Sequence, residues 1–355
     1  MIKKEQVVEK KVKFGIIGTG AIATMHAAAL EAAGNAELVA VYDKATGRAN
    51  DFAAKYNVRS VESFEDFLAD PEVEAVTIAT PTGIHGAVVL PAAKAGKHIL
   101  CEKPLDVTLE KSDEIIDTCN ANDVTLAAVF QSRFGTSVQF LKKAIDSGRF
   151  GKMILASTQI RWFRSQEYYD SAGWRGTWAL DGGGALTNQS IHTIDLLVYL
   201  NGDPEQVFAF ADTMTHTGIE VEDTAAAVVK FKNGSMGTIE ASTSCEPGFP
   251  RRIEISGSKG SVILEDDRIV RWEFAEELPE DAEIREKGVA GEGLHGGSGD
   301  PMAIDYEGHR RQIEDLAGAI LAKAEPQLPG NEGRRAVQLI CGIYESVKTG
   351  EPVKF

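Results

Sequence analysis

Cysteine is scarce in this chain. Its four copies, Cys101, Cys119, Cys245 and Cys341, show no CxxC spacing, which argues against a zinc knuckle or a thioredoxin-like motif, and no metal site is expected. Two of them sit inside apolar runs and read as small core residues. Reduced thiols of that kind suit a cytoplasmic setting. Positive charge is in deficit as well, with 37 Lys and Arg against 53 Asp and Glu and a formal net charge of -16. Phosphate neutralisation needs clustered Lys and Arg, so nucleic acid and anionic membranes are not expected partners. No uninterrupted apolar stretch reaches the length that spans a bilayer. The opening MIKKEQVVEKKVKFG has no apolar core of the secretory type and is expected to run straight into the first strand.

What is present is an ordinary globular composition: 355 residues, 43% hydrophobic and 25% charged, enough for two domains with large cores. From Val12 to Phe130 short apolar runs alternate with helical patterns. The runs are VKFGII, ELVAVYD, EAVTIAT, KHILCEK and VTLAAVF. That alternation predicts a parallel sheet, hence an α/β Rossmann domain over residues 1–130. Ser63 and Thr108 are expected to open helices. After Phe130 the pattern changes. SVQFLKKAIDSG predicts a helix stopped at Gly148, and GGGALTNQSIHTIDLLVYLNG a long apolar helix after three glycines. The runs QVFAFADT, TAAAVVKF, GTIEASTS, RRIEISG and SVILED follow as strands, with a hairpin at Asn233-Gly234. Consecutive strands joined by tight turns predict an α+β domain with a mostly antiparallel sheet over residues 131–355. The acidic, glycine-rich stretch 279–299 is expected to be a surface loop, and two helices close the chain.

The first apolar run breaks into Gly18-Thr19-Gly20-Ala21-Ile22-Ala23. A first glycine permits a tight turn and a second lets the backbone approach a pyrophosphate. A small third residue, here Ala23, lets the helix pack on the strand. Asp43 ends the second run roughly 20 residues beyond the glycines, where an acidic side chain accepts from ribose hydroxyls and repels a 2′-phosphate. NAD is therefore favoured over NADP, although Lys44 and Arg48 lie close enough to pair with a phosphate. Thr80-Pro81 and His85 follow a third run, at a strand end where they can line the cofactor. Turn chemistry and helix capping account for the same residues equally well.

Glu102-Lys103-Pro104 ends a later run of the same domain. A secondary alcohol gives up a hydride only as its hydroxyl proton leaves, so a base and a group that stabilises the alkoxide are needed. Lys103 suits the second role, and the first as well if desolvation lowers its pKa, with Glu102 beside it at the cofactor, and Pro104 stiffens its setting. In the second half Asn188 and His192 stand four apart on the expected helix and share a face. Asp195, three further on, could hold the His192 imidazole in one tautomer. Gln189 joins Asn188 in a polar helix start that a cleft would explain better than a core. Arg161, Trp162, Arg164, Tyr168, Tyr169, Trp174 and Arg175 form an aromatic and basic stretch. Arg161, Trp174 and Arg175 join Asn188 and Gln189 as the expected substrate contacts, since fork-shaped donors and flat rings suit a sugar bearing a phosphate or carboxylate. An oligomer interface would use the same residue types.

Taken together, GIIGTGAIA, VYDK, TPTGIH, EKP, WRGTWALDGGGALTNQSIHTIDLL and EGRRAVQLICGIYESVKTGEPVKF resemble the Gfo/Idh/MocA family of sugar and cyclitol oxidoreductases. They follow that family's order over nearly the whole chain. The resemblance implies a large open sheet in the second domain that builds homodimers or homotetramers. It places the catalytic lysine on Lys103 and the helix histidine on His192. Many members carry Asp where this chain has Asn188, which makes an inositol-dehydrogenase-like site less secure. The Asn-Gln-x-x-His form, preceded by WFRSQEYYD and WRGTW, resembles the branch oxidising nucleotide-activated aminosugar acids at C3. The expected activity is NAD-dependent oxidation of a ring hydroxyl of a sugar or nucleotide sugar. Inositol or aldose oxidation and keto-sugar reduction are the enzymatic alternatives, along with a closed cycle on tightly held NAD. A nucleotide-sensing regulator ranks behind them, because it could discard Lys103 and His192.

Overall fold

The computed structural model describes residues 10–290 and 305–355. The apolar runs of the first half become strands enclosed by helices on both faces, as a parallel sheet requires. In chain order they are β1 (Val12–Ile17), α1 (Ala21–Ala32), β2 (Ala36–Tyr42), α2 (Thr46–Tyr56), β3 (Arg59–Ser60), α3 (Phe64–Ala69), β4 (Ala75–Ile78), α4 (His85–Lys94), β5 (His98–Cys101), α5 (Leu109–Ala121) and β6 (Leu126–Ala128). The six strands lie in the order β3-β2-β1-β4-β5-β6, all parallel. The Ser63 hydroxyl accepts from the Asp66 amide at 3.0 Å, and Thr108 caps α5 through the Lys111 amide at 3.3 Å. Strand order reverses between β1 and β4, so their carboxyl ends open the crevice in which such sheets bind ligands.

The second half comprises α6 (Thr136–Asp146), β7 (Met153–Arg161), α7 (Gln166–Asp170), α8 (Ile191–Asn201), β8 (Pro204–Asp212), β9 (Thr224–Phe231), β10 (Met236–Ser242), β11 (Arg252–Gly257), β12 (Gly260–Glu265), β13 (Arg268–Phe274), α9 (Asp281–Ala290), α10 (Glu307–Ala322), α11 (Gly330–Thr349) and β14 (Val353–Lys354). Its eight strands run β13-β12-β11-β7-β10-β9-β8-β14. All pairs are antiparallel except β7 with β10. The sheet is open. Side chains alternate along β9, with Ala225, Ala227 and Val229 buried and Val228 exposed on the opposite face. Gly234 takes φ +86° in the β9–β10 turn, the left-handed geometry that the Asn-Gly pair supplies.

Three elements depart from expectation. Residues 281–290 form α9 rather than loop; the rest of the expected loop, from residue 291, lies outside the described residues. Asp281 anchors this helix, accepting from Trp272 Nε1 and the Arg149 guanidinium, each at 2.7 Å. Gly288 lets it close on β13, since a Cβ there would lie 2.5 Å from Ile269 Cδ1. Strand β13 itself was not anticipated, because its hairpin turns on Asp266 and Asp267 at positive φ instead of on glycine. The helix after the three glycines opens as a π-helical turn, Ala185–Ser190, before α8 begins.

Late in the chain, α10 returns to the first sheet. Ile313, Leu316 and Ala317 complete a core with Val12, Phe14, Ala23 and Ala27 of β1 and α1. Burying a leucine this completely stabilises by about 2 kcal/mol, and its removal leaves a cavity as well. Leu316→Ala is expected to cost about 2–5 kcal/mol in chemical denaturation. An effect below about 1 kcal/mol would show that α10 is not needed to close that core.

Candidate active site

A cleft of about 960 Å³ runs from the carboxyl ends of β1 and β4 to the start of α8. At one end the chain leaves β1 through Gly18, at φ +91°, where a Cβ would meet the Ala79 carbonyl oxygen at 2.8 Å. Gly20 is open, with nothing within 4 Å of where its Cβ would stand. It also precedes α1 without a side-chain cap, leaving first-turn amides free for an anion. Gly18, Gly20, Ala21, Ile22, Thr80 and Pro81 all line the cleft. Asp43 follows β2, where burial would raise its pKa. Hydrogen bonds from the Thr19 amide and hydroxyl, both at 2.9 Å, and from the Ala45 amide at 2.8 Å outweigh burial and hold it below the usual range. Arg48 completes the set at 3.0 Å and is itself two-thirds exposed, at 66%, so a ribose hydroxyl can displace it. This cradle fits a dinucleotide: donors for a pyrophosphate and an ionised carboxylate for a ribose.

At the other end Lys103 follows β5 and donates its Nζ to the Asn188 carbonyl at 2.9 Å. It keeps part of its surface open to the cleft. Desolvation lowers its pKa, against the opposing pull of Glu102 and Asp181. His192 lines the same space, and burial, with Lys103 and Arg251 nearby, holds its pKa well below 6.5. The imidazole is thus neutral at neutral pH and able to accept a proton. Asn188 and Gln189 flank it, and the Gln189 amide donates to Tyr168 Oη at 2.9 Å. Trp174 and Arg175 close the mouth, with the Arg175 guanidinium 4.1 Å from the Tyr168 ring centre and 4.7 Å from that of Trp174.

Two expected contacts are not brought to this cleft. The Arg161 side chain projects from the end of β7 and bonds Glu240 on an exposed sheet face. Arg164 takes the position in the wall instead, donating Nε to Gln189 Oε1 at 3.2 Å. His85 is fully buried. Its Nδ1 faces the Pro104 carbonyl at 2.9 Å and its Nε2 the Thr80 carbonyl at 3.0 Å, so it braces the two cleft loops from behind. Asp195 does not orient His192 either, because both its oxygens accept from Arg133, at 2.8 and 2.7 Å.

Sequence reading also missed residues that the fold delivers. Asp181 is buried beside Lys103, its pKa raised by burial, and it accepts from the Gly176 amide at 2.9 Å and from the Asn188 side chain. The carboxylate absent at position 188 is therefore supplied from the loop ahead of it. Glu102 faces His26 and His309. Burial would raise its pKa, but the His26 hydrogen bond at 2.8 Å and the nearby His309 bring it well below the carboxylate range. The WALDGG segment, ending in glycines at positive φ, was the available signal for Asp181. Nothing local marks His26 or His309.

A parallel sheet with a pyrophosphate turn, a ribose carboxylate, and a lysine and neutral histidine at the far end of one cleft define a nicotinamide-dependent oxidoreductase. Residues 12–130 match the model of the oxidoreductase family with an NAD-binding Rossmann fold, and residues 138–263 that of the GFO/IDH/MocA C-terminal domain. The chain belongs to the GFO/IDH/MocA family and is an NAD-dependent dehydrogenase acting on CH–OH groups. It is 32% identical to myo-inositol 2-dehydrogenase of Thermotoga maritima, covering 72% of this chain and 76% of that protein. It is 30% identical to inositol 2-dehydrogenase of Rhizobium meliloti, covering 95% and 97%. The crystal structure of the WlbA dehydrogenase from Bordetella pertussis, in complex with NADH and UDP-GlcNAcA, superposes with a TM-score of 0.86 at 32% identity. That likeness covers 98% of this chain and 99% of the other.

Breaking a buried ion pair by neutralising one partner leaves an uncompensated charge. Asp195→Asn is accordingly expected to cost about 3 kcal/mol of stability by denaturant titration, with little change in the pH–rate profile. A displaced acid limb without lost stability would return Asp195 to the side of His192.

Proposed function

We propose that this protein oxidises a ring hydroxyl of a nucleotide-activated sugar carrying an acidic group. The rim of the cleft carries the reading. Two guanidinium groups, Arg164 and Arg175, lie against the faces of Trp162, Tyr168 and Trp174 within reach of the Lys103 and His192 end. Arg164 is only 4% exposed, and the Nε of Arg175 has no hydrogen-bond partner among the described residues. Fork-shaped donors, one buried and one half-buried, suit a carboxylate or diphosphate, whereas a neutral cyclitol offers them hydroxyl acceptors but no charge to match. The UDP-GlcNAcA in the similar Bordetella pertussis structure supports the same class.

Bound NAD supplies the acceptor for the hydride leaving the substrate carbon. Asn188, tied to Asp181, holds a neighbouring hydroxyl. His192 takes the hydroxyl proton, and Lys103 stabilises the developing alkoxide as the C–O bond becomes a carbonyl. Gly18, Gly20, Ala21, Ile22, Asp43, Thr80, Pro81 and Glu102 serve the cofactor. The exposed face of the second sheet, bearing Leu155, Phe210, Val228 and Met236, joins copies of the chain into a homodimer or homotetramer, since an apolar patch of this kind marks an interface.

Absorbance at the reduced-nicotinamide band tests the substrate class, with UDP-aminosugar acids, inositols and aldoses compared. A signal with the nucleotide sugars alone is expected. Turnover of inositols instead would replace this reading with the cyclitol one. Lys103→Met should reduce kcat by at least about a hundredfold while NAD binding survives; near-normal turnover would remove Lys103 from the chemistry. Because burial lowers the His192 pKa, the base stays unprotonated as pH falls past 6.5. The acid limb of kcat/KM should therefore lie below 6.5, and a limb at or above it would contradict a buried neutral base. Val228→Glu should dissociate the assembly in light scattering, and an unchanged mass would move the interface elsewhere.

A further inference from the structure

Behind the Lys103 end of the cleft, three side chains from remote parts of the chain meet: His26 of α1, Glu102 after β5 and His309 of α10. His26 is spent. Its Nε2 bonds Glu102 Oε1 at 2.8 Å and its Nδ1 contacts Thr77 Oγ1 at 3.2 Å. Glu102 is spent too, since its other oxygen accepts from the Lys103 amide at 3.1 Å. His309 is different. It is 1% exposed, packed edge-on against His26 with ring centres 5.0 Å apart, and among the described residues neither ring nitrogen has a hydrogen-bond partner. Glu102 Oε1 lies 3.6 Å from its Nε2, longer than a hydrogen bond.

Two unsatisfied ring nitrogens inside a protein are costly, and native structures keep them where something else arrives to pair with them. His309 lines the cleft together with Glu102, Lys103 and His192. The pyrophosphate turn and Asp43 occupy the opposite end, so the reacting end of a dinucleotide lies here. We infer that His309 is a cofactor-binding residue that hydrogen-bonds the carboxamide of the nicotinamide, turning the ring's reactive face toward Lys103 and His192. A carboxamide offers both an N–H donor and a carbonyl acceptor, so it can pair with either tautomer of a neutral imidazole. A divalent metal is the competing occupant, because His26, Glu102 and His309 place ligand atoms within 4.8 Å of one another. It would have to break the His26–Glu102 bond to bind, whereas the carboxamide disturbs nothing already formed.

The inference rests on NAD as the cofactor, and its test separates the two. Affinities for NAD and for ADP-ribose, which lacks the nicotinamide, are measured by calorimetry on the full chain and on His309→Phe. Metal content of the purified protein is measured alongside. NAD affinity is expected to fall about tenfold in His309→Phe with ADP-ribose affinity unchanged. Equal losses for both ligands, or no loss for either, would overturn the assignment while leaving NAD dependence intact. Failure of the unaltered protein to bind NAD at all would instead strike at the cofactor reading. Stoichiometric metal that disappears in His309→Phe would also overturn it. Should the Phe variant not fold, histidine ¹⁵N spectra of the unaltered protein decide: one buried ring, assigned with His309→Gln, should shift with NAD and not with ADP-ribose. Identical shifts with both ligands would count against the inference.

Discussion

Lys103 crosses the cleft to the Asn188 carbonyl, and much of the molecule is arranged to make that single hydrogen bond possible. One partner ends a strand of the first sheet and the other sits in the π-helical turn before α8, so the bond joins two halves of the fold at the point of reaction. A lysine ammonium brought this deep must be matched by negative charge. Glu102 and Asp181 supply it from either side, against a desolvation that works to neutralise the lysine. The outcome is a cation held where an alkoxide would develop, beside an imidazole that the same burial keeps neutral. Two basic groups in one pocket are driven toward different tasks by their surroundings.

The supports of that bond come from well outside it. The Glu222 carboxylate accepts from the Gly184 and Leu186 amides, at 3.1 and 2.9 Å, and from Tyr344 Oη at 3.0 Å. It thereby pins the start of the π-helical turn to α11. Burial pushes its pKa up to about 7, so the donors around it only partly offset the cost of burying its charge. Behind the other partner, His85 ties the Thr80 turn to the loop after Lys103. Arg133, in the turn between β6 and α6, and Asp195 of α8 form a buried pair, with Glu332 of α11 adding a second carboxylate. Most of these contacts span elements distant in sequence, so the site behaves as a joint between packed bodies and not as a loop resting on a scaffold.

The same joint separates a floor from a rim. In the proposed reaction, hydride and proton transfer use groups at the floor that would serve many secondary alcohols. Under the proposed function, the stacking of Arg164 and Arg175 on aromatic faces at the mouth would distinguish a nucleotide-activated acid from a neutral ring. Low exposure makes a guanidinium more selective for an anion, because little water competes with it.

Local chemistry was legible in the sequence. Period and turn residues revealed the alternating strands of the first half, the Gly18 turn, Asp43, the Asn-Gly hairpin, and Lys103 at a strand end, because each depends on neighbours in the chain and on allowed φ and ψ. Where a side chain finally points depends on which remote element it meets, and there the tertiary structure decided. Arg161 ends β7 and Arg164 lies three residues beyond it; Glu240 on the neighbouring strand draws the first away while Gln189 receives the second. Asp195 sits one helical turn from His192, yet a bidentate match to Arg133 outweighs that proximity. His309 arrives at Glu102 only because α10 completes the core of the first sheet. The sequence by itself determined the glycine turn, the strand-end carboxylate and the lysine; the packing of α8, α10 and α11 against the first half determined what surrounds them, since burial and long-range pairing are properties of the folded chain alone.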